Sequence, residues 1–493
     1  MIDMDTGNKK TNRISINFIY QTAYQILVII SPLITVPYIA RVLGSENNGI
    51  YTYTFTIVNY FVIFSALGIE AYGNRLIARS KTISQDVLNQ AFSSLFWLHI
   101  IVTSLVAIIY LIYIIFIASE YRAIFAIQGL WVLGAFFDVN WLFFGLEEFK
   151  LSVTRNFVIK ICSIAFIFLL VRDSSDLWLY TLIIGGGQLF SNIFLWRYIT
   201  NYVSFKKVSL SEVFFHIKPL LVLFFAVIAT SIYRMIDKVM VGKLCNMNDL
   251  ASYEYADRMI RLLLTLITAL GTVMLPRMTA LYAENKNEQA EKYMESTTQI
   301  MFVIASALAF GLASVADDFM PLLLGEGYES SILFTQVLCI SLPIMGWNNL
   351  IRTQVLMPKE KDKVYVIAVW VGAIVNIILN LILINYIGAK GAAIATVISY
   401  AIVGICQIYP IWNEFKIGVL LRHSVIPLFG GSVMFIIVRL THSLWQSNVL
   451  RLIMSVFIGA LFYVLFAFFY LIKSNNDVLN TYLKKLKKFN KKC

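Results

Sequence analysis

The chain has 493 residues, of which 59% are hydrophobic and only 14% charged, with a mean hydropathy of +0.76 and a formal net charge of +12. Soluble domains carry about a quarter charged residues, and a water-soluble core cannot hide this much apolar surface. The composition therefore excludes a soluble globular protein and predicts an all-α polytopic membrane protein.

Apolar runs long enough to cross about 30 Å of hydrocarbon number about fourteen. In chain order they cover 15–42, 49–70, 89–117, 122–146, 153–171, 177–199, 216–241, 251–275, 294–316, 331–356, 364–386, 391–412, 423–441 and 450–472. Pro32 and Pro37 remove hydrogen bonds from the first run and are expected to bend it. The bend serves either a moving lobe or a static kink. The connections are short and none is large enough for an aqueous domain, so no catalytic residues are expected. The N-terminal MIDMDTGNKKTNR precedes the first run without a small-residue cleavage site, and no removable signal peptide is read there. Cys162, Cys245, Cys339, Cys406 and Cys493 are scattered, and His99, His216, His423 and His442 lie far apart. Neither set has the spacing of a disulfide framework or metal site. The histidines read as packing or interface residues, and no metal or cofactor is expected.

In a membrane protein the basic excess is first an orientation signal, not a nucleic-acid surface. With the N-terminus cytoplasmic, most loop lysines and arginines fall inside, including Lys9, Lys10, Arg75, Arg79, Lys206, Lys207, Lys359, Lys361, Lys363 and the tail YLKKLKKFNKKC. The loop DDFMPLLLGEGYES (317–330) carries four acids and no base, and falls outside. Both termini are therefore expected in the cytoplasm. The basic tail reads as a retained positive anchor, with a grip on anionic membrane lipid as the alternative.

The chain also resembles itself at an offset of about 202 residues. Tyr51 and Tyr53 fall on Tyr253 and Tyr255, Gly68 and Gly73 fall near Gly271 and Pro276, and Arg41 falls on Lys243. Two six-helix lobes in parallel orientation follow, 1–210 and 211–415, with a final helix pair in 416–475 and a basic cytoplasmic tail in 476–493. Transporters built on such repeats bind between the halves and rock them.

Four stretches carry a family resemblance: SPLITVPYIARVLGSENNGIY (31–51), LGIEAYGNRLIARSK (67–81), FFDVNWLFFGLEEFK (136–150) and NIILNLILINYIGAKGAAIATVISY (376–400). Together they resemble the polysaccharide-transporter branch of the multidrug/oligosaccharidyl-lipid/polysaccharide exporter superfamily, the O-antigen and capsular repeat-unit flippases. The resemblance runs from about residue 13 to about 415. It implies translocation of an undecaprenyl-pyrophosphate-linked oligosaccharide from the inner to the outer leaflet of a bacterial cytoplasmic membrane. Polymerase and chain-length machinery are the expected neighbours, and a two-lobed carrier can work as a monomer.

Charged residues inside apolar sequence mark candidate sites, because a charge near the bilayer centre costs several kcal/mol. The seventh run carries Arg234, Asp237 and Lys238, the first and last of these cations roughly 7 and 13 Å beyond the midplane by helix rise. The eighth brings Glu254, Asp257, Arg258 and Arg261 to similar depth, with Glu254, Arg258 and Arg261 on one stripe and Asp257 four residues before Arg261. Snorkelling accounts for Lys243 and extends to Lys238. It accounts poorly for Arg234 and Arg261. Asp257 is expected to neutralise Arg261, and Asp237 to neutralise Arg234 or Lys238. Two readings stand. One is a cationic cavity of Arg41, Arg234, Lys238, Arg258 and Arg261, suited to a pyrophosphate because guanidinium forks hold phosphate oxygens in pairs. The other is a structural ion-pair network.

Further along the cytoplasmic side, Asp138 and Trp141 lie on one face with Glu147 and Glu148 nearby, and read either as sugar or gate contacts or as a structural hydrogen bond. Arg155 and Lys160 read as receiving substrate or as flanking the inner interface. Asn376 and Asn380 read as polar glue between helices, and Gly388 and Gly391 as close-packing positions. Helices thirteen and fourteen, rich in Phe and Leu, offer a groove for a polyprenyl tail or are ordinary lipid-facing spans. No P-loop is present, which argues against ATP hydrolysis. Drive comes from substrate charge in the membrane potential, about 2.3 kcal/mol per charge per 100 mV, or from proton or sodium coupling at Asp237, Glu254 or Asp257. A drug-cation antiporter of the same superfamily and a membrane polymerase or ligase are the rivals. The first wants an acidic chamber and the second a large outer loop.

Overall fold

The structure, a computed structural model, describes residues 4–414 and 417–474, with side-chain surroundings from residue 30 onward. The basic tail assigned to 476–493 and the side chains of Lys9 and Lys10 lie outside the described residues. Helices follow one another throughout, and no strand occurs among the described residues. Among the described residues, thirteen stretches are long and apolar enough to cross a membrane. The first, Ile30–Lys81, takes in two of the expected crossings, so the prediction of about fourteen agrees with the fold.

The chain divides into two compact units at Ser231/Ile232. The first holds α1 (Met4–Ala66), α2 (Ile69–Lys81), α3 (Gln85–Phe116), α4 (Arg122–Phe136), α5 (Asn140–Gly145), α6 (Phe149–Leu170), α7 (Leu177–Ile199) and α8 (Leu210–Phe215). Helix α1 passes through Pro32 and Pro37 and is interrupted instead at Gly44, whose φ of 76° and ψ of 171° no side chain tolerates. A Cβ there would meet nothing within 4 Å, so conformation and not crowding requires the glycine. The chain turns again at Leu67 and Gly68, both with positive φ. Ser84 caps α3 by accepting from the Val87 amide. Ser209 and Glu212 form a capping box at α8. One core gathers Ile77, Phe92, Leu95, Leu142, Phe143 and Leu195 from α2, α3, α5 and α7. A second joins Val58, Tyr110, Phe125 and Val132 of α1, α3 and α4.

Helix α9 (Ile217–Leu244) runs through the division. Beyond it come α10 (Met247–Ala283), α11 (Asn287–Leu324), α12 (Ser330–Cys339), α13 (Ser341–Ile351), α14 (Asp362–Ile387), α15 (Ala389–Ile408), α16 (Ile417–Thr441) and α17 (Asn448–Lys473), with a π-helical turn at Arg352–Leu356. The repeat spacing of about 202 residues reappears in the helix ends. The Gly44 break matches Asn246, the N-cap of α10; the end of α2 at Lys81 matches Ala283; and the start of α3 at Gln85 matches Asn287. The copies differ at one bend, because α10 runs unbroken through Gly271.

Gly388 has a φ of 64° between α14 and α15. A Cβ on Gly391 would lie 2.4 Å from the Leu383 carbonyl carbon, the close packing expected there, whereas one on Gly388 would meet nothing within 4 Å, so that glycine is required by its backbone conformation and not by packing. Asn376 and Asn380 are fully buried, but the bond between them, 3.0 Å, runs along α14 and not across helices. Helices α16 and α17 pack through Met434, Val438 and Tyr463 against Val315 of α11. Two polar clamps add to this contact. Asp317 takes Arg439 and, at 3.0 Å, the Gln336 amide; Asp318 takes Arg451 at 2.6 Å and His442 at 2.9 Å. Two of the four acids of the 317–330 segment that served above as an orientation signal, Asp317 and Asp318, are thus structural ligands for the last helix pair.

Candidate functional site

The buried charges of the seventh and eighth runs lie on α9 and α10, joined only by the turn at Cys245 and Asn246. Asn246 caps α10 by accepting from the Asp249 amide at 2.7 Å, and this tight connection sets the two helices side by side. Lys238 is buried and contacts Glu254 and, at 3.0 Å, Asp257. Glu254 also holds Arg258 at 2.8 Å, and Asp257 also holds Arg261 at 2.8 Å. The expected Asp257–Arg261 pair is therefore present. Lys238 sits inside the network, so the snorkelling account of it is replaced: its ammonium has two carboxylates within the fold.

Asp237 corrects a second expectation. Among the described residues it forms no ion pair with Arg234 or Lys238. Its Oδ2 accepts instead from the Tyr253 hydroxyl at 2.6 Å and from the Thr396 hydroxyl at 2.8 Å. Oδ1 is buried and takes no hydrogen bond among the described residues. The reason is helical phase. Residue 237 points toward α15, which supplies Thr396, while residue 238, about 100° further round the helix, points toward the acids of α10. Tyr253 and Thr396 complete this site and were not picked out as site residues in the sequence. Tyr253 stood out only as a repeat marker, although it shares a helical face with Asp257.

Arg234 is exposed, and among the described residues it has no ion pair. Its backbone carbonyl accepts the second guanidinium nitrogen of Arg261 at 2.8 Å. Two guanidinium-bearing residues are thereby brought together, one committed to Asp257 and the other exposed. In the first unit Arg41 is exposed and donates to the Pro37 carbonyl at 2.9 Å.

The cytoplasmic-side candidates fare unevenly. Asp138 Oδ1 accepts from the Asn140 amide at 3.0 Å and its side chain at 2.7 Å, the structural hydrogen bonding set out as one alternative. Trp141 is only 2% exposed, stacks on Phe92 with ring centroids 5.6 Å apart and packs on Gly73. Its indole is core, which removes it as a sugar contact. Arg155 is buried, and its guanidinium donates to Asn140 at 3.0 Å and Asn156 at 2.7 Å. It lines a cleft of about 970 Å³ between α6 and α7. Lys160, on the same helix, is half-buried and is not among the residues lining that cleft. The histidines are structural as read: His99 bonds the Ala135 carbonyl, His216 bridges Tyr72 and Ser94, His423 contacts Tyr470, and His442 meets Asp318. No cluster of His, Cys, Asp and Glu able to hold a metal occurs among the described residues.

Comparison with known proteins places this geometry in context. The polysaccharide biosynthesis protein family model matches residues 15–282, and the MatE family model matches residues 223–382. The chain is 22% identical over 374 residues to the "Putative O-antigen transporter" of Shigella dysenteriae, covering 74% of this chain and 91% of that protein. Over 170 residues it is 21% identical to the "Probable low-salt glycan biosynthesis flippase Agl15" of Haloferax volcanii, covering 34% of this chain and 36% of the other. Among solved structures, the lipid II flippase MurJ in an inward closed conformation aligns with a TM-score of 0.74 at 15% identity, over 92% of this chain and 99% of MurJ. An inward-facing multidrug resistance MATE family transporter of the MOP superfamily aligns with a TM-score of 0.59 at 15% identity, over 80% of this chain and 96% of the other. At these identities the structural likeness concerns the fold.

Proposed function

The chain belongs to the polysaccharide biosynthesis protein family, and from that membership we propose that it is a flippase for lipid-linked oligosaccharides. It carries polyprenyl-pyrophosphate-linked repeat units from the inner to the outer leaflet of a cytoplasmic membrane by alternating access of its two repeats. Both termini are cytoplasmic, and it works as a monomer beside the polymerase that consumes its cargo. The observation that carries this reading is the uneven use of charge on α9 and α10. Lys238, Arg258 and Arg261 are held by Glu254 and Asp257, while Arg234 is exposed, has no ion pair among the described residues, and is joined to Arg261 through its backbone carbonyl. A guanidinium not committed to a carboxylate is suited to the bidentate binding of phosphate oxygens. Lys238, Arg258 and Arg261 then act by positioning, and Arg41 takes the corresponding role in the first repeat.

Depletion of the protein in cells, with a surface-impermeant probe for the sugar, tests this directly. Intact lipid-linked units are expected to accumulate on the inner leaflet. Normal outward exposure of those units without polymer would instead indict a polymerase, and normal polymer would favour a drug exporter.

Energy coupling falls to Asp237. A buried carboxylate without a counter-ion is costly unless it binds a proton or a small cation. Oδ1 of Asp237 is buried without a hydrogen bond among the described residues, beside the hydroxyls of Tyr253 and Thr396 that Oδ2 accepts from. Glu254 and Asp257 are already paired with basic groups and serve this purpose less well. Asp237→Asn is expected to leave abundance unchanged and to cut ion-dependent transport in proteoliposomes at least tenfold. Retention of the full proton or sodium dependence by this variant would exclude the assignment.

A further inference from the structure

The cleft between α6 and α7 is not explained by the charge network on α9 and α10, and its shape is informative. One end is polar, with Lys150, Thr154 and Arg155 in the first turns of α6 and Tyr198 and Tyr202 at the end of α7; Glu148 also lines this end. The remainder is apolar, from Val158 and Ile159 to Phe166 on one wall and from Phe190 to Leu182 on the other. Val158, Phe166 and Phe190 are 52%, 51% and 70% exposed, so these rings and branches border an open trough rather than a closed core. Gly186 and Gly187 of α7 line the trough: a Cβ on Gly186 would meet nothing within 4 Å, while one on Gly187 would lie 2.9 Å from the Ser163 hydroxyl of α6, where the two walls come together. From Lys150 to Phe166, and from Tyr198 to Leu182, each wall runs about 24 Å at 1.5 Å per residue.

We infer that this trough holds the polyprenyl chain of the lipid-linked substrate, with its phosphate end at Lys150 and Arg155. The assignment rests on the flippase reading above. Two features select this occupant. The basic pair stands at one end only, as a hydrocarbon chain with a single anionic head requires. Length decides against a phospholipid: one leaflet is about half of a 30 Å hydrocarbon layer, so an acyl chain would leave much of a 24 Å trough empty. A polyisoprenoid is long enough to fill it. Arg155 lines this end of the trough, and the carboxamide oxygens of Asn140 and Asn156 accept from its guanidinium and orient it. The apolar cavity beside α16, lined by Phe310, Leu428 and Phe435 and about 400 Å³ in volume, is much the smaller space.

The test uses the full chain in nanodiscs with a photoreactive polyprenyl monophosphate carrying a diazirine near its terminal isoprene. Adducts are expected on α6 and α7 between residues 158 and 190. Gly186→Trp places its ring in the open trough, and labelling there is expected to fall at least tenfold while folding, checked by size-exclusion profile, is retained. Arg155→Gln is expected to weaken labelling about fivefold and to make it less sensitive to salt. Unchanged labelling in Gly186→Trp, or equal labelling of the trough by a phospholipid bearing the same diazirine, overturns the assignment. Translocation of lipid-linked sugar with adducts only on α16 and α17 overturns the position of the tail and leaves the flippase reading standing. No adduct anywhere on a protein that also fails to translocate removes both.

Discussion

Reversal of charge at Arg234 is expected to abolish export at normal protein abundance. The residue is exposed, and among the described residues nothing acidic is paired with it, so Arg234→Glu breaks no ion pair that the fold depends on. Under the proposed function it removes a charge-assisted contact to the pyrophosphate, worth about 1.5–3 kcal/mol. In its place it puts a carboxylate facing an anion. Loss and repulsion together imply at least a hundredfold fall in transport, since about 1.4 kcal/mol is tenfold. Arg234→Lys keeps the charge but loses the planar fork and is expected to retain roughly a tenth of the activity. The measurement is surface exposure of lipid-linked sugar by an impermeant probe, normalised to membrane abundance. Full export by the reversal variant would mean that Arg234 does not touch the headgroup, and would leave the α9–α10 charges as a structural network.

The second large effect concerns Asp257 and is one of stability. Its Oδ2 receives Lys238 at 3.0 Å and Arg261 at 2.8 Å, and it is the sole ion-pair partner of Arg261 among the described residues. Asp257→Ala leaves Arg261 without an ion-pair partner among the described residues, and Lys238 and Arg258 sharing Glu254. Removing one partner of a buried pair costs about 3–5 kcal/mol, whereas replacing both partners with apolar groups is often neutral. The single variant is therefore expected to lower the apparent Tm in detergent by more than about 5 °C. The double variant Asp257→Leu/Arg261→Met is expected to recover most of that loss. A double variant as unstable as the single one would show that Arg261 is needed for its bond to the Arg234 carbonyl and not only as the counter-ion of Asp257.

Most of the architecture was legible in sequence because the bilayer imposes a one-dimensional rule. A segment crosses if it is apolar over about 20 residues, and no tertiary knowledge is needed to see it. The α7 run matches its expected limits at 177 and 199 because Asp173 and Asp176 on one side and Arg197 on the other bound the apolar stretch. Helices α10 and α11 overran theirs, reaching 37 and 38 residues. Their first turns are polar and largely exposed, at Asn248, Asn287, Glu288 and Gln289, so the helices continue past the apolar stretch that a hydropathy window detects.

The candidate site divides in the same way. Apolar content, the four family stretches and the spacing of Glu254, Asp257, Arg258 and Arg261 along one helix are local properties, and they sufficed for the membrane class, the family and the Asp257–Arg261 pair. Other features depended on which helices meet. Asp237 turned from a presumed counter-ion into an acceptor for Tyr253 and Thr396, the latter 159 residues away. Trp141 turned from a sugar contact into core because Gly73 and Phe92 close over it. Asp318 found Arg451 at a separation of 133 residues. Helix rise and phase follow from consecutive residues. The identity of a buried polar group's partner is decided by packing between distant segments, where each such group must find a hydrogen bond or counter-charge that water no longer supplies.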